Sequence, residues 1–488
     1  MNGRCSRLLR TVGVAGVAAL LSAACAVNPA TRRLEFQLVS KRRELALGAA
    51  MDGEIVATTR LYADPEVADH VRAIGEPLAR ASERPELPWT FRVLDAPEVN
   101  AFAAPGGYVY VARDLLAYLD DDDELAAVLA HEVGHVAARH GAKQATRLAV
   151  ASRAVGALRI FDPAMRHIGA VAAGSAYLSL LRHSRDQERE ADLLALRYLA
   201  RVGRPAAAMA DVLALLVLLD DSDGTPPWLS THPAPLKRLG RIEALGIAPR
   251  PANLSAGYAE LVDGLAFGPD PRFGYLLDDR YVHPAMGIVV PLPADYPRAL
   301  QGELVVAAAP GRDLLLWAGP SRLPSAEAAF EAFFSDPAIE PAKAVRVEHH
   351  GRPGLAAGFT VTTVDGELAG TAVFLDWDGS VFLFVLMGTE AALRRDGEAL
   401  GHTLAALRPP TAEEADVGPI RIDVVRLERT RRLGDLTPEP GLRGLLALLN
   451  RHAVDEELPA GTLVKVVDDR ALPGRRPAPF EQVSPRLR

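Results

Sequence analysis

The hydrophobic pattern of the chain changes near Pro249, and this change constrains the fold more than any other feature of the sequence. Between residues 55 and 245, alanine and leucine dominate, and apolar residues recur with the period of amphipathic helices. Beyond Pro249, short β-type runs alternate with turns rich in glycine, proline and aspartate. A chain of 488 residues is long enough for about three domains. The pattern therefore predicts a multidomain protein, with a mainly α domain followed by an α+β region.

Interruptions of these patterns divide the chain further. Residues 89–94 and 107–111 read as strands, so the mainly α domain should contain a small β-sheet. We expect six segments: a signal peptide at 1–24, a tether with a first helix at 25–54, the mainly α domain at 55–265, an α+β domain of unassigned role at 270–412, a small module at 418–468 and a disordered tail at 469–488.

The N-terminal residues resemble a bacterial lipoprotein signal. Three arginines precede an apolar run at 11–21 that is too short to span a bilayer, and small residues lead to Cys25. The resemblance implies export and lipidation of Cys25, so we expect a periplasmic protein with a lipid anchor in the outer membrane. Ser22 stands where the lipoprotein pattern prefers leucine, and conventional cleavage at the alanine-rich site is the alternative.

Charge and cysteine content exclude other classes of protein. A formal net charge of −8 argues against nucleic acid as a partner. The two cysteines are Cys5 and Cys25, and Cys5 would be removed with the signal peptide, so the mature chain would have neither a disulfide nor a thiolate metal site. Any metal must be bound by histidine or carboxylate side chains.

The pattern His-Glu-Val-Gly-His, which begins at His131, is the strongest chemical signature in the chain. Acidic residues at 120–124 can cap the helix that carries it, and Gly141 is the expected end of that helix. His131 and His135 leave one helix face and can bind one ion, for which Zn²⁺ is the natural choice. Glu132 lies beside them, placed to take a proton from a bound water. The alternative is a pair of surface histidines on an amphipathic helix.

A second helix should begin at Ser184 and carry Glu188 and Asp192 on one face. The two motifs, His-Glu-x-x-His and then Glu-x-x-Ala-Asp, resemble the gluzincin zinc endopeptidases of the CAAX prenyl protease and HtpX-like family. The resemblance implies a zincin-type fold, one Zn²⁺ per chain, Glu188 as the third zinc ligand and Asp192 as a residue that orients a ligand. Glu190 falls off that helix face, and we interpret it as a solvated neighbour.

The segment 100–111 resembles the edge strand of the same family. The resemblance implies that Asn100, Ala101 and Phe102 belong to a strand that holds an extended peptide by strand addition. A plain hairpin with a Gly-Gly turn is the alternative.

His232, followed by Pro233 and later by Arg238, matches a His-Pro segment of the family. The resemblance implies that His232 and Arg238 assist the charge that develops on the scissile carbonyl. In some periplasmic members the histidine instead occupies the open zinc position and blocks it. A capped or exposed loop histidine is the alternative. The remaining histidines receive no role: His140 lies off the ligand face near the helix end, His167 and His183 flank an apolar segment, and His349 and His350 have no partner at ligand spacing.

Residues 418–468 resemble a LysM module, a small βααβ unit that binds glycans. The match is best from Leu458 onward, and it departs after Gly434, where two prolines shorten the expected first helix. The resemblance implies peptidoglycan as a partner, with loss of glycan binding as the alternative.

Together these features predict a zinc endopeptidase of the cell envelope that cleaves unfolded or misassembled exported proteins. The preference for unfolded substrates follows from strand addition, which needs an extended peptide. The alternative function is a peptidoglycan-associated scaffold lipoprotein with a blocked or little-used protease domain.

Overall fold

The computed structural model describes residues 25–36, 39–146, 183–220, 227–335, 339–363 and 366–468, which form two compact units. The first unit comprises the described residues up to Leu265 together with Ile422–Val466, and the second comprises Ala266–Arg421. The expected signal peptide, the expected tail and His167 lie outside the described residues. Within the described ranges, no helix is both long and apolar enough to cross a membrane.

The first unit is mainly helical, as the periodicity predicts, and its described part up to Leu265 also contains two small sheets. Its helices up to Leu265 are α1 (Lys41–Thr58), α2 (Pro65–Ala81), α3 (Arg113–Tyr118), α4 (Asp122–Ala137), α5 (Arg185–Arg201), α6 (Ala207–Asp220), α7 (Pro227–Thr231), α8 (Pro235–Glu243) and α9 (Ala256–Val262). Its strands in the same part are β1 (Cys25–Val27), β2 (Leu34–Phe36), β3 (Thr90–Leu94), β4 (Ala101–Ala104) and β5 (Tyr108–Ala112).

The starts of α4 and α5 are fixed by capping side chains, as the sequence predicts. The Asp121 side chain caps α4 by accepting a hydrogen bond from the backbone N–H of Glu124 at 2.8 Å. Ser184 and Gln187 form a capping box at the start of α5. Both helices therefore begin at defined residues, which fixes the direction of the side chains that follow.

The prediction that Gly141 ends the first of these helices is wrong. Helix α4 ends at Ala137, and Arg139 adopts a left-handed conformation with φ of 57°. Contacts made by the Arg139 guanidinium hold this turn, since it donates to Glu44 at 2.9 Å and to the Val39 carbonyl at 2.8 Å. Residues 140–146 are helical again.

A three-stranded sheet lies beside these helices in the order β3-β5-β4. Strand β5 is parallel to β3 and antiparallel to β4. Gly106 and Gly107 have φ of 89° and 109° in the turn between β4 and β5, a conformation that favours glycine. Strand β4 is thus both part of a hairpin and an edge strand of the described sheet.

Gly134 lets α4 and α5 approach each other closely. A Cβ atom at this position would lie 3.1 Å from the Ala191 carbonyl oxygen and 3.3 Å from the Leu194 Cβ. Side-chain bulk between the helices would therefore push them apart. Gly134 lies between the two histidines of its motif, so the close approach brings both of them towards α5.

The second unit is rich in β-sheet, as the strand pattern predicts. The strands are β6 (Ala266–Phe267), β7 (Tyr275–Leu277), β8 (Arg280–His283), β9 (Ile288–Pro291), β10 (Arg298–Gln301), β11 (Leu304–Ala308), β12 (Leu314–Ser321), β13 (Ile339–Pro341), β14 (Val345–His349), β15 (Arg352–Thr363), β16 (Gly366–Trp377) and β17 (Ser380–Gly388). The large antiparallel sheet has the order β10-β11-β12-β17-β16-β15-β13, with β14 paired to β15, and β7, β8 and β9 form a smaller sheet. The helices are α10 (Ala326–Phe333), α11 (Glu390–Asp396), α12 (Ala399–Ala405) and α13 (Ala412–Ala415).

The C-terminal segment joins the first unit, to which residues 422–466 belong. Its elements are β18 (Ile420–Arg426), β19 (Arg431–Arg432), α14 (Arg443–Asn450), β20 (Glu457–Leu458) and β21 (Leu463–Asp468). Strands β18 and β21 pair, and short 3₁₀ turns at 433–436 and 440–442 stand where a βααβ module has its first helix. The two prolines of this region account for the missing helix.

Candidate metal centre

Four buried side chains of the first unit converge on one point between α4, α5 and the residue that follows α7. They are at most 2% exposed, and their nearest ligand atoms all lie within 4.8 Å of one another. The four residues are His131, His135, Glu188 and His232.

The secondary structure explains how residues so far apart in sequence meet. His131 and His135 are one helical turn apart on α4, and Glu188 lies in the first turn of α5. His232 follows α7 directly, and its backbone N–H donates to the Trp228 carbonyl at 2.7 Å. The family resemblance predicts that His131, His135 and Glu188 share a site and that His232 lies near it, and the structure brings all four together.

The distances between the donor atoms match those around a tetrahedral zinc ion. Zinc bonds of about 2.1 Å in a tetrahedron place neighbouring donors about 3.4 Å apart. The Nε2 atoms of His131 and His135 are 3.0 Å apart, and His131 Nε2 is 3.3 Å from His232 Nδ1. Glu188 Oε1 is 3.4 Å from His135 Nε2 and 3.2 Å from His232 Nδ1. Three imidazole nitrogens and one carboxylate form a donor set that suits Zn²⁺.

Electrostatics in the cluster keep His135 and Glu188 in the forms that bind metal. Burial and the surrounding imidazoles hold the pKa of His135 well below its usual range, so its ring is neutral. Burial alone would raise the pKa of Glu188, but His232 and the Arg238 guanidinium bring it well below its usual range. A neutral imidazole and an ionised carboxylate are the states that can donate electron pairs to a cation. Burial and Arg238 would lower the pKa of His131, but Asp192 and Glu188 raise it to about 9, so a metal ion bound there displaces a proton from this ring.

Glu132 lies next to the cluster and is fully buried. Neither of its carboxylate oxygens has a hydrogen-bond partner among the described residues, and His232 Nε2 is 3.6 Å from Oε1. Burial raises the pKa of this carboxyl. An unpaired carboxylate beside a group of metal donors is able to exchange a proton with a water molecule held there.

Asp192 and Arg238 contact two of the four donor residues and hold their side chains in place. Asp192 Oδ1 lies 3.1 Å from His131 Nδ1, the ring nitrogen that faces away from the other donors. The Arg238 guanidinium contacts Asp192 at 2.6 and 3.0 Å and Glu188 Oε2 at 2.8 Å. The position of Asp192 agrees with the orienting role that the sequence implies, whereas Arg238 is engaged with these two carboxylates.

Two further histidines, to which the sequence pattern assigns no role, contact the cluster. His140 Nδ1 lies 2.9 Å from His135 Nδ1, and its Nε2 lies 2.8 Å from Glu190 Oε2. The His183 ring stacks on that of His135 with the centroids 3.8 Å apart. Glu190 is therefore a hydrogen-bond partner of the site and not a freely solvated neighbour.

Helical spacing fails for His140 because the helix breaks before it. On a continuous helix His140 would leave a different face from His135, but the left-handed Arg139 turns the chain between them. His183 precedes the cap of α5, and its backbone N–H donates to the Thr231 carbonyl at 3.1 Å. In the sequence, these two residues are marked only by the high number of histidines near the motif, which does not predict where their side chains lie.

Strand β4 lies along one side of the site. Ala103 and Ala104 line a small cavity together with His135 and His183. The Phe102 ring stacks on that of Tyr110 with the centroids 4.8 Å apart. The described sheet pairs β4 through one edge, to β5, and the residues of β4 are at most 9% exposed. Binding of a peptide along this strand stays a prediction.

Comparisons with known proteins agree with this site. Residues 65–245 match the model of peptidase family M48. The chain is 31% identical over 228 residues to the beta-barrel assembly-enhancing protease of Yersinia pestis, covering 44% of this chain and 47% of the relative. It is 29% identical over 209 residues to the protein of that name from Escherichia coli K12, covering 40% and 42%. It is 35% identical over 160 residues to the mitochondrial metalloendopeptidase OMA1 of Arabidopsis thaliana, covering 33% and 32%. The chain thus spans less than half the length of each of these relatives.

Proposed function

Residues 65–245 form a domain of peptidase family M48, and we propose that the protein is a zinc-dependent endopeptidase of the bacterial cell envelope. The observation that carries the proposal is the buried donor set of His131, His135 and Glu188 with the unpaired carboxylate of Glu132 beside it. A binding site for a structural ion would not need that carboxylate.

His131, His135 and Glu188 would hold a zinc ion, which would supply a Lewis acid to polarise the scissile carbonyl and acidify the attacking water. Glu132 accepts the proton of that water on a carboxylate oxygen and then delivers it to the leaving amine. Asp192 holds the His131 ring by accepting from Nδ1–H, so that Nε2 stays directed at the ion. Arg238 fixes the carboxylates of Asp192 and Glu188.

His232 acts in this proposal as a removable fourth ligand. Its Nδ1 lies 3.2 Å from both oxygens of Glu188 and 3.3 Å from His131 Nε2, where it completes the donor set. Four protein donors fill a tetrahedron and leave no position for the water that the reaction needs. The described conformation supports the blocking role of His232 over the role of an oxyanion donor, which requires an open site.

Unfolded or misassembled exported proteins are the proposed substrates. Strand β4 lies at the edge of the described sheet, and strand addition there would select an extended peptide, which a folded protein does not offer. The relatives from Yersinia pestis and Escherichia coli are named as proteases that enhance β-barrel assembly, which supports a role in the envelope. We further propose that Cys25 carries the lipid anchor and that the outer membrane is the location.

The alternative, a peptidoglycan-binding scaffold, rests on the pairing of β18 with β21 around α14. Two cations of this segment are directed into the peptidase unit, since Lys465 Nζ contacts Asp120 at 2.9 Å and Arg451 contacts Glu124 at 2.7 Å. These contacts favour a part for the segment in the protease itself.

Digestion of an unfolded protein such as casein, with and without a zinc chelator, tests the proposal. We expect cleavage by the purified protein, its loss with the chelator, and its return when zinc is added back. The His232→Ala variant is included in the same assay, so that a blocked site is not mistaken for an inactive one. Cleavage that the chelator does not affect, or none by either protein, would contradict the proposal.

A further inference from the structure

His135 is connected to a carboxylate through a second imidazole. His140 Nδ1 lies 2.9 Å from His135 Nδ1, and His140 Nε2 lies 2.8 Å from Glu190 Oε2. His140 is fully buried, and Glu190 is 22% exposed, with Lys143 Nζ 3.6 Å from the same carboxylate oxygen. These contacts lie outside the set of four donors.

The hydrogen bonds from His135 through His140 to Glu190 fix which ring nitrogen carries the proton in each histidine. His135 Nε2 is the atom that faces the other donors, so its ring proton is on Nδ1. That proton is donated to His140 Nδ1, which must then be unprotonated. The His140 proton is therefore on Nε2, where it is donated to the carboxylate of Glu190. His135 and His140 are thus hydrogen-bonded as neutral rings, and Glu190 is hydrogen-bonded as a carboxylate.

We propose that His140 and Glu190 are positioning residues, which together hold the His135 ring in the tautomer and orientation that bind zinc. The inference rests on zinc binding at the proposed site, and it does not depend on whether the protein cleaves peptides. A partner on the outer nitrogen fixes the ring of a ligand histidine and raises its basicity. Asp192 does this for His131 with one carboxylate, and His135 has an imidazole and a carboxylate in series.

The geometry of α5 explains why the two ligand histidines have different partners. Asp192 lies one turn beyond Glu188 on the same face, where it reaches His131. Glu190, two residues after Glu188, leaves the helix on another side and does not contact His135. His140 fills the space between them because the turn at Arg139 directs it back towards the site.

A second metal ion is the competing interpretation of the same residues. The ligand atoms of His135, His140 and His183 also lie within 4.8 Å of one another. His183 contributes a stacked ring, and its Nδ1 has no hydrogen-bond partner in the described part of the chain. The short contact between two Nδ1 atoms of His135 and His140 favours a hydrogen bond, and metal stoichiometry separates the two interpretations.

The variants His140→Phe and His140→Asn test the relay in the full-length protein. Phenylalanine keeps the ring shape and removes the acceptor, so the zinc dissociation constant should rise by about 10- to 100-fold. Asparagine can present an oxygen near the position of Nδ1 and should recover part of the affinity. Competition with a chromogenic chelator measures the affinity, and the absorption spectrum of the Co²⁺ form reports ligand geometry.

Two further variants keep the test decisive if His140→Phe does not fold. Glu190→Gln retains shape and removes the charge, and it should weaken zinc binding by about 10-fold or less. His183→Phe preserves the stacking on His135 and tests the second metal site. His349→Phe, a substitution in the second unit, is the control and should leave affinity and the Co²⁺ spectrum unchanged. Melting temperatures of the metal-free variants separate a general loss of stability from a loss of ligand positioning.

Wild-type affinity and an unchanged Co²⁺ spectrum in both His140→Phe and Glu190→Gln would overturn the relay. Two zinc ions per wild-type chain, with one lost in His183→Phe, would also overturn it and establish the second metal site. A wild-type protein that binds one zinc and shows these affinity changes but cleaves nothing would refute the proposed function and leave the relay intact.

Discussion

The buried carboxylate of Glu132 lowers the stability of the metal-free protein and places a proton acceptor beside the metal ligands. It is fully buried without a hydrogen-bond partner among the described residues, and a buried unpaired carboxylate is destabilising by several kcal/mol. Metal-free protein therefore buries a carboxyl group that has no hydrogen bond among the described residues, with His232 Nε2 3.6 Å from its Oε1. A cation bound at the adjacent donors compensates it, so zinc should raise the melting temperature as well as supply the reaction.

The four-donor arrangement predicts how zinc binding responds to loss of ligands. His131→Ala leaves three donors and should weaken binding, whereas His131→Ala combined with His232→Ala leaves only two and should abolish it. Metal analysis after extensive dialysis measures the difference. His349→Ala, a substitution in the second unit, serves as the control. Equal zinc content in the single and double variants would show that His232 is not a ligand.

Removal of His232 alone should increase activity. His232→Ala keeps His131, His135 and Glu188 and opens the fourth position to water. If about nine molecules in ten are blocked, basal cleavage should rise about tenfold, since apparent activity scales with the competent fraction. The initial rate on unfolded casein measures the effect. A lower rate with zinc retained would instead identify His232 as an oxyanion donor.

Residue patterns could identify part of this site from the sequence. Helical spacing predicts the shared face of His131 and His135, and it places Glu188 with Asp192, because regular helices preserve their periodicity. His140 was missed since a left-handed turn at Arg139 breaks the helix before it. That turn depends on contacts with Glu44, a residue nearly a hundred positions away, and leaves no local pattern.

At the scale of secondary structure, charges from the C-terminal segment hold the residues that lead into α4 and, through the contact of Arg451 with Glu124, its first turn. Lys465 is fully buried, and its Nζ donates to the carbonyls of Ala117 and Leu119 while contacting Asp120 at 2.9 Å. Arg451 contacts Asp120 at 2.5 Å. The helix that carries both ligand histidines therefore begins within a buried ion cluster.

Lys465→Met should destabilise the first unit by about 3 kcal/mol, because it leaves two carbonyls and a buried carboxylate with fewer donors. Thermal or urea unfolding of the metal-free protein measures the change. The control is Lys343→Met, which removes an exposed lysine of the second unit and should have little effect. Equal unfolding midpoints for the two variants would show that the cluster does not hold α4.

Across the whole molecule, the sequence predicts that a mainly α region precedes a sheet-rich one, but it does not predict that the C-terminal segment packs with the first unit. The helical and strand periodicities indicate a mainly α region followed by a sheet-rich one, and both are present. Residues 422–466 nevertheless join the first unit after an intervening unit of more than one hundred residues. The contacts that join them link positions more than 300 residues apart, which periodicity cannot register.

This arrangement predicts that the C-terminal segment is required by the peptidase. A chain that ends at residue 417 should unfold at a lower temperature and bind zinc more weakly, because α4 loses Arg451 and Lys465. The full-length Lys343→Met protein is again the control. A truncated chain with the stability and zinc affinity of the full-length protein would support an independent glycan-binding module instead.

The central claim, a zinc endopeptidase with Glu132 as its base, is tested most directly by the cleavage rate of Glu132→Gln measured together with its zinc content. We expect this variant to hold as much zinc as the wild-type protein, since the ligands are intact. Its cleavage of an unfolded substrate should fall by about 10²-fold or more, because the proton acceptor is gone. A zinc-loaded Glu132→Gln protein that cleaves at the wild-type rate would contradict the account.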